Sequence, residues 1–169
     1  MIMKKWMWLM VWILLIGVLG SVYAQRATVP SGPRFFLETG TVATMELFFA
    51  QETAFGMQLG FQGGVKDLAG PFGVGGQFGL GVQGGGAAFN LGLEALLHFG
   101  QGDLVPLVGA GFRVFFGGGQ TAFGLGAAAG AEFAFNRNVS LVATIRPTLW
   151  FAGGAAFGMS IGTGFRIYP

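Results

Sequence analysis

The feature that most restricts what this chain can fold into is an alternation with a period of two. It holds its phase through eight segments: residues 35–49, 54–64, 72–83, 87–99, 104–116, 122–135, 138–151 and 155–168. In the second segment Phe55, Met57, Leu59 and Phe61 alternate with Gly56, Gln58, Gly60 and Gln62. In the last, Phe157, Met159, Ile161, Phe165 and Ile167 alternate with Gly158, Ser160, Gly162, Gly164 and Arg166. Successive side chains of a β-strand point to opposite faces. Each segment therefore predicts a strand with one row of large apolar side chains and one row of glycine and polar residues.

The links carry turn chemistry: Gly84-Gly85-Gly86, Gly100-Gln101-Gly102-Asp103, Gly117-Gly118-Gly119-Gln120, Asn136-Arg137-Asn138 and Ala152-Gly153-Gly154. They are too short for a crossover, so consecutive strands are antiparallel neighbours in an up-and-down meander. Residues 65–71, running from Val65 through Lys66 and Asp67 to Gly70 and Pro71, are the longest polar connection and are expected as a solvated turn on the side of the termini.

Composition decides which row faces out. Charged residues are 9% of the 169, against about 25% in soluble domains. A water-soluble barrel would have to place most of the 19 Phe inside a lumen formed by eight strands, which cannot hold them. With the faces reversed, Phe, Leu, Val and Ile meet lipid while Gly, Gln, Glu and Arg line the interior, as in transmembrane barrels. Closure also gives every backbone group in the hydrocarbon a partner. The fold expected is all-β: an eight-stranded antiparallel up-and-down transmembrane β-barrel over residues 35–169. Outward Phe residues near strand ends, such as Phe35 and Phe49 or Phe123 and Phe135, are placed to form interfacial girdles.

The barrel is preceded by an address. Lys4 and Lys5 lead into an apolar stretch from Trp6 to Gly20, then Val22-Tyr23-Ala24, the pattern of a cleavable signal helix over residues 1–24. Residues 25–34, with Pro30 and Pro33, read as an extended lead-in. Cleavage removes two of the nine basic residues and leaves seven to face seven acidic ones, so no basic footprint for nucleic acid remains.

Seven charged residues fall on the inward phase: Glu38, Glu46, Glu94, Arg113, Glu132, Arg146 and Arg166. Counted from strand midpoints, Glu38, Glu132 and Arg166 lie near the end that bears the termini. Glu94 and Arg146 lie at mid-height, and Glu46 and Arg113 toward the other end. An isolated buried charge costs several kcal/mol and a paired one can be tolerated, so ion pairs across the lumen are expected, as a plug or as a gate. Inward Phe36, Phe48, Phe115, Trp150 and Tyr168 sit near strand ends, where they cap the interior.

Enzyme chemistry finds little support. With no Cys and one His, His98, there is neither a thiol nucleophile nor a multi-histidine metal site, and the fourth strand offers no Ser beside His98. Strings such as Gly73-Val74-Gly75-Gly76 lack the helix and the Lys-Ser/Thr of a phosphate loop. No enzyme activity, cofactor or metal is expected.

The chain resembles the small eight-stranded outer-membrane barrels, the group around the outer-membrane protein A and X type domains. The resemblance covers residues 35–169 and rests on the secretory signal, the strand number, the alternation and the C-terminal strand. In that family the last residue is usually aromatic with apolar residues two and four before it. Ile167 and Phe165 fit, and Pro169 stands in the aromatic's place. The resemblance implies outer-membrane lipid as the surroundings, recognition of the C-terminal strand by the outer-membrane assembly machinery, and an interior that is packed in barrels of this size. It leaves two functional readings: a structural barrel with an ion-paired, mostly plugged lumen that supports the envelope or anchors a partner, and a narrow porin-like channel or lateral route for small or hydrophobic solutes. Very short loops opposite the termini weaken an adhesive role. The Phe-rich exterior offers a face to other membrane proteins.

Overall fold

The computed structural model describes residues 32–47, 53–100 and 102–169, and side chains in these ranges except at 41–47, 53 and 54. The expected signal helix, residues 25–31 of the lead-in, Phe48 and Phe49 lie outside the described residues.

Eight strands follow one another: β1 (Arg34–Leu47), β2 (Thr53–Ala69), β3 (Phe72–Gln83), β4 (Gly86–His98), β5 (Leu104–Gly117), β6 (Gln120–Ala134), β7 (Val139–Phe151) and β8 (Ala155–Ile167). Each pairs antiparallel with its sequence neighbours, and β8 returns to β1 to close the barrel. The alternation thus predicts fold, strand count and topology correctly. Paired residues followed around the wall from Phe36 through Gly64, Gly75, Glu94, Gly111, Gly126, Thr148 and Gly158 return to β1 at Glu46, ten residues beyond the start. This stagger is the shear that tilted strands require in order to close.

Glycine chemistry sets the tight turns. Gly84 and Gly85 (φ 57° and 81°) and Gly118 and Gly119 (φ 58° and 75°) form two-residue hairpin loops that need left-handed backbone at both positions. At the terminal-bearing end, the Asn136 side-chain oxygen accepts from the backbone N–H groups of Asn138 and Val139, both at 2.9 Å, and so shapes the β6–β7 turn.

The large apolar row faces outward. Phe35, Phe55 and Leu125 are each more than 60% exposed, as only lipid makes acceptable. Phe61, Phe78, Phe89 and Phe116 form a continuous arc across β2 to β5, with ring centroids 6.2, 5.0 and 5.5 Å apart. Phe133, Phe135 and Phe165 cluster on the other side of the barrel.

Two departures from regular pairing stand out. Residues 65–69 are not a solvated turn: β2 runs on to Ala69, and a bulge between Val65 and Ala69 takes up the extra residues. Asp67 carries the bulge in left-handed backbone (φ 58°), and Lys66, one residue before it, keeps the inward phase and is buried. The second departure lies between β6 and β7. Pairing passes Gly126↔Thr148 and resumes only at Ala129↔Ile145, skipping the two positions opposite Arg146 and Pro147. Pro147 has no N–H to donate, while on its other side it still pairs with Met159 of β8.

Candidate functional site

The barrel interior is the candidate site, and it divides into two halves of different character. The half nearest the termini is filled. Phe36, Leu96, Leu107, Val142 and Tyr168 form one buried cluster, with the rings of Phe36 and Tyr168 edge to face at 6.4 Å. Leu96, Leu107 and Val142 point inward although most large aliphatic residues point to lipid, so the interior is a mixed apolar and ionic core at this end.

Around this cluster runs a charge network. Arg166, wholly buried on β8, donates to the Glu38 carboxylate from Nε at 3.0 Å and from Nη2 at 2.7 Å. Its Nη1 reaches Glu132 Oε2 at 3.1 Å. Lys66 Nζ meets the same oxygen at 3.0 Å. Glu132 Oε1 accepts from the hydroxyls of Ser140 at 2.8 Å and Tyr168 at 2.5 Å. Two acids and two bases balance here, and nearly every lone pair of Glu132 has a donor, the condition under which buried charge is tolerated. Cation–π contacts tie in the apolar members: the Arg166 guanidinium lies 4.1 Å from the Phe36 ring centroid, and that of Arg34 lies 4.0 Å from Tyr168. His98 Nε2 lies 3.5 Å from Arg166 Nη1. His98 is therefore a member of the plug with no serine or metal arrangement around it among the described residues.

At mid-height one carboxylate serves two guanidinium groups. Glu94 Oε1 lies 3.4 Å from Arg113 Nη2, and Glu94 Oε2 lies 3.4 Å from Arg146 Nη2. Gln62 bridges them: its oxygen accepts from Arg146 at 3.3 Å and its amide faces Glu94 at 3.5 Å. Arg113 also donates to Thr148 at 2.7 Å, and Arg146 to Thr144. Arg113 thus belongs to the mid-height layer. The Glu46 side chain, and with it the expected Glu46–Arg113 pair, lies outside the described residues.

Beyond this layer the side chains shorten. Gly40, Gly60, Gly79, Gly158 and Gly162 line a cavity of about 70 Å³ with Gln58, Gln77, Arg113, Arg146 and Trp150. Phe115 and Trp150, with ring centroids 6.0 Å apart, lie against Ala122 and Ala156 at the far end. Phe36 and Trp150 each lie on the glycine paired with them on the next strand, Gly64 and Gly124.

Lys66 is the charged lumen residue missing from the seven expected. Its signal was the simple continuation of the alternation Gly60, Gln62, Gly64, Lys66, masked by Gly63-Gly64 and Gly70-Pro71, which resemble turn boundaries. No protein-family model and no curated protein matches the sequence. Among solved structures, the chain is similar to Neisserial surface protein A (NspA), with a TM-score of 0.70 and 18% identity over 80% of this chain and 98% of that one. The fold is that of the small outer-membrane barrels. The N-terminal β-barrel domain of OprF from Pseudomonas aeruginosa (TM-score 0.51, 19% identity, 80% and 99% covered) and the attachment invasion locus protein Ail of Yersinia pestis (0.51, 17%, 81% and 99%) share this outer-membrane barrel architecture.

Proposed function

We propose that the protein is a structural barrel of the outer membrane whose lumen is closed, and that its role is to support the envelope or anchor a partner there. The observation that carries this reading is the plug at the terminal-bearing end. Arg166 with Glu38, Glu132 and Lys66, packed around Phe36, Leu96, Leu107, Val142 and Tyr168, occupies the section that any solute would have to cross. Opening it requires separating buried pairs, at about 3–5 kcal/mol for each one broken. A lateral route would need a break in the wall large enough for a solute. Pairing encircles the described barrel and lapses only for two positions beside Pro147. Export by a cleaved signal and insertion through the C-terminal strand complete the proposal.

The test combines two measurements. Cell fractionation, with heat-modifiable migration on gels, is expected to place the folded protein in the outer membrane. Reconstituted liposomes are then expected not to swell in small sugars or amino acids. Swelling at porin-like rates would overturn the closed lumen in favour of a channel.

A further inference from the structure

The charges inside the barrel do not balance layer by layer. In the plug, Arg166 and Lys66 match Glu38 and Glu132. At mid-height, Arg113 and Arg146 share the single carboxylate of Glu94, and both contacts are long at 3.4 Å. The described side chains of this layer therefore carry one surplus positive charge. Arg113 and Arg146 are each 7% exposed, so bulk water does not screen it. Beside it lies the cavity of about 70 Å³, walled by Arg113, Arg146, Gln58, Gln77 and Trp150. Arg146 supplies a second and independent sign: its Nε is buried and has no hydrogen-bond partner, although both terminal nitrogens are used. A guanidinium N–H left over in a low-dielectric interior is strongly disfavoured unless an acceptor reaches it.

We infer that this cavity is a binding site for a monovalent inorganic anion of halide size, held by Arg146 and Arg113. Charge sets the valence, since one surplus cation is neutralised by one monovalent anion. Volume sets the size, because about 70 Å³ admits a small ion with a few waters and excludes organic carboxylates or sugars. The nearest other carboxylate lining the cavity, Glu38, is already held twice by Arg166 and cannot supply the missing charge. Glu46 shares the inward phase of β1, and its side chain lies outside the described residues. The test therefore uses a chain in which Glu46 is present, so that its charge is included in the result. The site goes beyond the closed-barrel proposal and does not depend on it, because a closed lumen and a conducting one can both hold an anion.

Trp150 lies in the cavity wall and reports on it. The full chain with Trp6, Trp8 and Trp12 changed to Phe retains Trp150 as its one tryptophan. Folded into detergent micelles and titrated with iodide against gluconate at constant ionic strength, it is expected to show saturable quenching that chloride reverses. R146Q should weaken iodide binding about tenfold or more, the loss of a charge-assisted hydrogen bond. E94Q should tighten it, because the competing carboxylate charge is gone. Opposite signs from two isosteric changes in one ion-paired layer cannot both come from loosened packing. Quenching that is linear in iodide, indifferent to chloride and equal in all three proteins would overturn the site, as would weakening in both variants.

Discussion

Lys66 reaches Glu132 across the lumen, from β2 to β6, with Nζ 3.0 Å from Oε2. The two halves of this pair are not energetically equivalent. Without Lys66, Glu132 still has Arg166, Ser140 and Tyr168 as donors. Without Glu132, Lys66 loses the only carboxylate placed against it among the described residues. Lys66→Met is therefore expected to cost about 1–2 kcal/mol, and Glu132→Ala about 3–5 kcal/mol. Urea unfolding in detergent micelles, followed by far-ultraviolet circular dichroism, checks the order. Equal losses would mean that the network does not lean on Glu132 as its hub.

The same pair marks how far the sequence could be read. Strand number, topology and the outward direction of the Phe and Leu rows follow from a two-residue period, because a one-residue slip would bury every apolar side chain on the wrong face. Even the levels of Glu38, Glu132 and Arg166 follow from counting along strands. Partner choice does not, because a stagger of ten residues around the wall moves each inward position relative to strands far away in sequence. Arg113 therefore lies beside Glu94, one strand back. Lys66 needed one further fact, that Asp67 adopts left-handed backbone and lets β2 continue past a turn-like glycine pair. The inward Leu96, Leu107 and Val142 carry no signal in composition, since an aliphatic side chain suits lipid and plug equally.

Interior glycines beneath aromatic rings should resist substitution where lipid-facing glycines do not. A Cβ at Gly124 would lie 2.6 Å from Trp150 Cε3 and 2.7 Å from Thr148 Cγ2, so Gly124→Val is expected to destabilise by about 1–3 kcal/mol through overpacking. At Gly76, on the outer face, a Cβ meets nothing closer than Leu93 Cδ2 at 3.5 Å. Gly76→Ala should be neutral or stabilising by up to about 1 kcal/mol, since it reduces the freedom of the unfolded chain. Paired urea midpoints decide the matter, and an equal loss at both positions would contradict the assignment of faces.

The gap beside Pro147 gives the opposite expectation, a stabilising substitution in mid-strand. Pro147 faces outward on β7, paired with Met159 of β8 but leaving the ladder to β6 incomplete. No water reaches the hydrocarbon to satisfy the carbonyl that an N–H at this position would serve. Pro147→Val keeps the apolar surface, suits extended backbone and restores a donor toward Ala127 and Ala128. It should raise stability by about 1 kcal/mol, the net value of one hydrogen bond, and slow backbone amide exchange across the β6–β7 seam. Pro147→Val at or below wild-type stability, with exchange unchanged in β6, would show that the two strands part here for a reason other than the missing donor. The seam itself, with Arg146 on its inner side, would then become the first place to look for motion in the wall.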